Sequence, residues 1–332
     1  MSTAAVVDAV LEAPVFTSFT RIGFDIRSRL AHWTSLDGYR LDGRVMLVTG
    51  ATSGLGLVAV EQLAKCGATV VLLGRDAAKT ARVRDEIAAR TGNDSLSTVV
   101  ADMGDLVAVR RAADEVLERH DRLEVLVHNA GALSDTRQLS PQGIELTVAS
   151  QVVGPFLLTT LLLPLLQRSA PARVITMSSG GMYAAGLEVE HLLMGDDYKG
   201  SEQYARAKRA QVTLNEMWAQ RAPGGGVVFH AMHPGWADTP GVRDALPTFR
   251  KVVGPLLRSP EQGADTLVWL AADDGAPLAG SGSFWLDRKQ RPIHKLPSTR
   301  RSDTAARRRE LWQWVTAAAG LVDDGPHDHG LQ

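Results

Sequence analysis

Near the start of the chain, Phe16, Phe19, Ile22, Ile26, Leu30 and Trp33 recur at three- and four-residue steps, making an apolar helical stripe beside Arg21, Arg27 and Arg29. Such a stripe needs a partner. The expected one is the main body of the protein or a sister subunit, and the alternative is a peripheral contact with a membrane surface. From residue 44 the pattern changes to short β-branched or leucine-rich runs alternating with helical stretches. RVMLVTG, GLVAVEQLAKCG, ATVVLLG and the Arg/Ala-rich segment 76–91 come first. SLSTVVAD, a helix over 105–120, RLEVLVHN, a helix over 141–168, ARVITMS, a helix over 201–221, GGVVFHAMHP and a helix over 260–273 follow. Strands alternating with helices of this length predict βαβ units, and hence an α/β fold with a doubly wound parallel sheet covered on both faces.

No repeat, low-complexity block or linker divides residues 44 to 290. The expected organisation is a helical extension over 1–41, one α/β domain over 42–297, and a C-terminal helix and tail over 298–332. The most apolar run, VVGPFLLTTLLLPLLQ at 152–167, falls short of the roughly 20 residues of a bilayer span and carries two prolines and two threonines, so a buried helix is expected.

Composition adds exclusions. At 332 residues, 45% hydrophobic, 22% charged and net charge -1, the chain is an ordinary globular one with no basic excess to suggest nucleic acid. One cysteine, Cys66, allows no internal disulfide and fits a reducing, cytoplasmic setting. The start, MSTAAVVDAVLEAPVF, has no basic leader and does not resemble a secretory signal. His327 and His329 in the last residues could be taken for a metal pair, but a frayed polar tail without further ligands is the expectation, and no metal is predicted.

The candidate chemistry lies at strand ends. The first strand runs into TGATSGLG, residues 49–56, with Gly50, Gly54 and Gly56 where strand passes to helix. Glycines let the backbone approach a diphosphate closely, and the helix N-terminus offers free N–H groups and partial positive charge. The second strand ends in GRD; Arg75 there suits a 2′-phosphate, whereas Asp76, one place on, would suit free ribose hydroxyls. NADP(H) is therefore expected over NAD(H). Of the four tyrosines only Tyr204 has a lysine, Lys208, four residues later, on one face of a predicted helix. A neighbouring ammonium lowers a phenol's pKa and equips it to trade protons with a substrate oxygen; alone, the pair would read sooner as an ordinary helix surface.

TGATSGLG, VVADM, HNAG (128–131), RVITMSSGG, YARAK and HPGWADTP, in that order from residue 44 to about 290, resemble the short-chain dehydrogenases/reductases. Several stretches, among them SSGGM and YARAKRAQVTL, are more closely similar to the dehydrogenase/reductase family member 12-like branch, which also carries an N-terminal extension. The resemblance implies a Rossmann fold and an NAD(P)-dependent oxidoreductase moving a hydride between nicotinamide and a carbonyl or alcohol. Tyr204 would be the general acid or base, Lys208 would lower its pKa and hold the nicotinamide ribose, and Ser179, ahead of Ser178, would steady the substrate oxygen. The cofactor would be held by Thr49, Gly50, Ser53, Gly54, Leu55, Gly56, Arg75, Asp102, Met103, Asn129, Ala130 and Gly131, with Tyr204, Lys208, Pro234, Gly235 and Thr239 around the nicotinamide.

Where the family usually has an asparagine that holds a proton-relay water, this chain has Gln151, the same amide one methylene further out. Ser179 and Tyr204 are separated by an insertion, YAAGLEVEHLLMGDDYKGSEQ, expected on the substrate side as in retinol-dehydrogenase-like members. WADTPGVRDALPTFRKVVGPLL, residues 236–257, offers Trp236, Leu246, Phe249, Val252 and Leu256 either as a lid over a hydrophobic small-molecule substrate or as plain helix core. The family also implies a homodimer or homotetramer, with the helices at 141–168 and 201–221 as the expected contact surfaces.

Overall fold

The central strands are apolar on both faces and buried along nearly their whole length, which is how helices come to layer on either side of the sheet. The computed structural model describes residues 3–12, 14–222, 224–245 and 247–322. Helices α1 (Thr3–Glu12), α2 (Val15–Phe19) and α3 (Arg21–Leu30) precede β1 (Val45–Thr49), α4 (Gly54–Lys65), β2 (Thr69–Gly74), α5 (Ala77–Thr91), β3 (Leu96–Val100), α6 (Leu106–Arg119) and β4 (Val125–His128). The chain continues through α7 (Leu146–Val148), a π-helical turn (Ala149–Val153), α8 (Gly154–Arg168), β5 (Ala172–Met177), α9 (Gly200–Arg221) and β6 (Val227–Met232). After α10 (Pro240–Ala245), α11 (Pro247–Val253) and α12 (Pro260–Ala272) come β7 (Ser283–Leu286), β8 (Lys289–Arg291), α13 (Pro297–Ser302) and α14 (Ala305–Ala318).

The eight strands lie in the order β3-β2-β1-β4-β5-β6-β7-β8, parallel except for β8. Val45 and Leu47 of β1 enter the core layer built with α6, α8, α9 and α14, while Met46 and Val48 enter the layer with α4 and α12. That period of two puts an apolar residue into both layers and makes the strand fully buried. Strand order reverses between β1 and β4, so a crevice opens at their carboxyl ends, where an open α/β sheet takes its ligand.

Four elements depart from the sequence expectations. The helix expected from 141 begins at Leu146: Ser140–Ile144 makes a closed turn with Gly143 at φ +76, and the Glu145 carboxylate caps the helix by accepting from Thr147 and Val148 N–H at 3.0 Å each. The run from Leu146 to Arg168 is long and apolar enough by composition to cross a membrane, but 72% of that window is buried against the rest of the protein. The hairpin β7–β8 was not expected; its two-residue turn, Asp287-Arg288, takes φ of 54° and 52°, a primed-turn geometry without glycine. The single helix read from the Phe16–Trp33 stripe is divided at Thr20, which is extended, and the C-terminal helix is two helices broken at Asp303 and Thr304.

Part of the surface of α8 and α9 packs within the chain. Trp312 of α14 packs its ring 5.0 Å from both Phe156 of α8 and Trp218 of α9. The 183–203 insertion is also anchored rather than loose: Leu187, Val189 and Leu192 are buried in the main core, and Ala185 O accepts from Arg209 Nε at 3.0 Å. Leu246 of the expected lid, and His327 and His329, lie outside the described residues.

Candidate active site

The glycine turn after β1 is held open from beneath by polar contacts. Thr49 Oγ1 accepts from the N–H groups of Asn129 and Ala130, both at 3.0 Å, and Asn129 Nδ2 donates to Thr49 O at 3.0 Å and Gly50 O at 3.1 Å. These bonds staple the ends of β1 and β4 together at the switch point. Gly50 and Gly54 have φ of +66 and +55, and a Cβ at Gly56 would lie 2.3 Å from Asn129 Nδ2. Only glycine fits there. Ser53, the N-cap of α4, is extended and makes no side-chain cap bond, so the amides of Gly54, Leu55 and Gly56 find no acceptor among the described residues. An uncapped helix N-terminus behind a glycine turn fits a diphosphate.

The ribose end of the turn is charged in a specific way. Arg75, just past β2, is exposed and forms no ion pair among the described residues. Asp76 is already committed as the N-cap of α5, accepting from Lys79 N–H at 2.8 Å. Asp102, past β3, is exposed, with one carboxylate oxygen taking Gly104 N–H at 2.8 Å. Met103 is buried, and Leu55 Cδ2 packs where a Cβ on Gly263 of α12 would meet it at 2.8 Å. Thr239 closes over Gly54, its Cβ 3.7 Å from a Cβ built there.

A second cluster sits where β5 meets α9. Ser178 is buried and donates to Lys208 O at 3.3 Å, which leaves Ser179, half-buried, as the serine open to a ligand; its Oγ accepts from Gly181 N–H at 3.2 Å. Lys208 is 3% exposed, its Nζ donates to Met177 O at 2.9 Å, and it stands 5.2 Å from the centroid of the Tyr204 ring. Burial pushes the Tyr204 phenol up to about 12, the Ser179 hydroxyl pulling the other way. Burial alone takes Lys208 down to about 7. In the free protein both groups are pushed toward their neutral forms, because desolvation penalises each charge.

Gln151 joins the two clusters. It lies in the π turn, a feature common at functional positions. Its Nε2 donates to Ala132 O at 2.8 Å, its backbone O accepts from Gln211 Nε2 of α9 at 2.6 Å, and its Oε1 is buried without a partner. A Cβ on Gly131 would come 2.9 Å from that amide. Pro234 and Gly235, past β6, are clamped by Arg258, which donates to Pro234 O at 3.3 Å and lies 2.4 Å from a Cβ built on Gly235. In the expected lid, Phe249 packs 5.1 Å from Trp236, whereas Val252 is 77% exposed; an isolated bridge between Ala237 and Arg258 pins the base.

Sequence reasoning missed Phe19, Arg258 and His233 as neighbours of the site. The ring of Phe19 lies 4.4 Å from that of His233, which accepts from Gly235 N–H through Nδ1 at 3.1 Å. The available signal was the HPGW stretch itself, whose glycine at φ +71 leaves room for the incoming segment.

Comparison with known proteins bears on the family and the fold. Residues 44–248 match the family model described as short chain dehydrogenase. The chain is 40% identical over 273 residues to the human protein named dehydrogenase/reductase SDR family member 12, covering 82% of this chain and 85% of that one. Human retinol dehydrogenase 11 is 30% identical over 303 residues, covering 90% and 93%. Among solved structures, a short chain dehydrogenase from Escherichia coli CFT073, complexed with NADPH, superposes with a TM-score of 0.63 at 26% identity, covering 77% of this chain and 100% of that one.

Proposed function

The chain belongs to the short-chain dehydrogenase family, and on that premise we propose that it is an NADP(H)-preferring oxidoreductase acting on a carbonyl or alcohol. The observation that carries the reading is the convergence of Ser179, Tyr204 and Lys208 at the end of β5, next to an uncapped glycine turn. Thr49, Gly50, Ser53, Gly54, Gly56, Asn129, Ala130 and Gly131 would hold the dinucleotide, and Arg75 its 2′-phosphate. Bound there, the nicotinamide supplies the hydride; the protein supplies position and electrostatics.

Tyr204 carries the proton. Held neutral by burial, the phenol carries the proton that a carbonyl oxygen takes up as it gains negative charge. Ser179 Oγ hydrogen-bonds the same oxygen and fixes its direction. Lys208 opposes the negative charge left on Tyr204 after transfer, an interaction worth more in a water-poor site than in solution.

A second reading, a nucleotide-binding scaffold or sensor with little turnover, is favoured by Gln151, which stands where the family usually has an asparagine and whose side-chain N–H is spent on Ala132 O. One titration separates the two. NADPH and NADH are added to the purified protein while nicotinamide fluorescence and thermal stability are followed, then NADPH oxidation is measured with a panel of aldehydes and ketones. Binding with turnover supports the enzyme, binding without turnover supports the scaffold, and binding of neither nucleotide overturns both.

A further inference from the structure

The N-terminal helices are built onto the strand ends. Phe19 is 3% exposed, and a Cβ added to Gly180 would lie 2.4 Å from its Cε2 and 3.0 Å from its Cζ; Gly180 directly follows Ser179. The Phe19 carbonyl accepts from Trp236 N–H at 2.8 Å and from Arg258 Nε at 3.0 Å. Arg258, 1% exposed, also donates to Ser18 O at 2.9 Å and to both carboxylate oxygens of Asp287 at 2.6 and 2.9 Å. Arg27 of α3 completes the clamp, donating to Asp287 Oδ2 at 2.6 Å. The turn between α2 and α3 is thus bolted to the β6 and β7 ends by buried charge, a geometry that fixes the rings it carries.

Those rings continue outward. The Phe19 ring stands 5.8 Å from Trp236, Phe16 stands 6.0 Å from Trp236, and Trp236 stands 5.1 Å from Phe249, all edge to face. Phe16 is 44% exposed, and Trp236 and Phe249 are half-buried, so the row keeps open apolar surface as it leaves the Ser179 loop for α11. Such surface on fixed aromatic rings suits another flat ring.

We propose that Phe16 and Phe19, delivered by the N-terminal segment, form with Trp236 and Phe249 one wall of the substrate site, and that the substrate is an apolar aromatic carbonyl compound or its alcohol. This rests on the oxidoreductase reading for its chemistry, but not for its binding. The segment ahead of the sheet is therefore part of the site and sets specificity, while Ser179 and Tyr204 act on whatever oxygen the wall presents.

The test uses the full chain, with 2-naphthaldehyde and propanal as probes. Tryptophan fluorescence gives the Kd for 2-naphthaldehyde in the presence of NADP, and NADPH oxidation gives kcat and KM for both aldehydes. In Phe16→Ala, the Kd and KM for 2-naphthaldehyde rise about tenfold, the ratio of kcat/KM for 2-naphthaldehyde over propanal falls by a similar factor, and Phe16→Tyr restores both. Trp236→Ala, read in the same assays, shows the same direction, so a failure of one variant to fold does not decide the matter. Binding that is lost in Phe16→Ala supports the wall even if no aldehyde is turned over, in which case the oxidoreductase reading alone falls. No binding of 2-naphthaldehyde by the parent protein, or an unchanged Kd in both variants, overturns the wall even if propanal is reduced.

Discussion

Lys208 stands 5.2 Å from the centre of the Tyr204 ring, yet its ammonium hydrogen bond goes to the carbonyl oxygen of Met177. The pair is therefore primed rather than already ionised. Burial holds the phenol up at about 12 and the ammonium down at about 7, and neither shift is caused by the other residue.

One consequence is a pH-dependent stability cost. The folded-state pKa of Lys208 lies below the 10.5 of an ordinary lysine, so between about 7 and 10.5 the unfolded chain holds more protons than the folded one. Stability from this group rises with pH through that window, and the full cost of burying the charge is present below it. Lys208→Met removes the cost. Its melting temperature, relative to the parent, is expected to be more favourable near pH 6 than near pH 9, as read by differential scanning calorimetry; an equal difference at both pH values would mean that Lys208 is not desolvated.

Tyr204→Phe keeps the ring and deletes the proton. Turnover of any carbonyl substrate is expected to fall by about 10²–10⁴-fold, the usual contribution of a general acid, with NADPH affinity largely unchanged. In the parent, alcohol oxidation needs the phenolate and so climbs through the alkaline range, whereas carbonyl reduction holds steady until the phenol itself titrates. Steady-state rates in both directions across pH test this, and undiminished turnover in the variant would remove Tyr204 from its role.

Arg75 should read the 2′-phosphate, since it is exposed without an ion-pair partner among the described residues while Asp76 is used as a helix cap. A lost charge-assisted hydrogen bond is worth about 1.5–3 kcal/mol, so Arg75→Ala is expected to weaken NADPH binding roughly 10- to 100-fold and leave NADH binding nearly unchanged. Fluorescence titration with each nucleotide distinguishes this from a general loss of affinity.

The clamp on the N-terminal segment makes a stability prediction. Arg27 pairs with Asp8 at 2.8 Å, Glu12 at 3.0 Å and Asp287 at 2.6 Å, with its side chain only 5% exposed. Arg27→Met removes one cation from a network in which Asp287 keeps Arg258, Asp8 keeps Lys289 and Arg291, and Glu12 keeps Lys295, and is expected to cost about 1.5–3 kcal/mol in urea unfolding. A cost under about 1 kcal/mol would show the network to be as weak as a surface pair.

Gly180→Ala tests the packing of the segment directly. The added methyl group would meet the Phe19 ring at 2.4 Å, an overpacking expected to cost about 1–3 kcal/mol. Combining it with Phe19→Leu, which withdraws the ring, is expected to recover part of that loss; strictly additive effects in the double-mutant cycle would place the two residues out of contact.

Much of the molecule was legible because it is local. The runs that became β1 to β6, the glycines of the turn after β1 and the four-residue spacing of Tyr204 and Lys208 are set by backbone periodicity and steric need, which a short window of residues carries. The distinction between Asp76 as cap and Arg75 as free charge also turns on neighbours in sequence, though only the capping bond made it visible.

What tertiary structure alone decided depends on partners far along the chain. Arg258 bonds the carbonyl of Phe19 across 239 residues, and Arg27 reaches Asp287 across 260, so no local pattern marks the N-terminal stripe as a neighbour of Ser179. The same holds for the phenol and the ammonium. Sequence spacing set Tyr204 and Lys208 on one helical face, but their charge states follow from how much water the surrounding layers exclude, and that is a property of the packed whole.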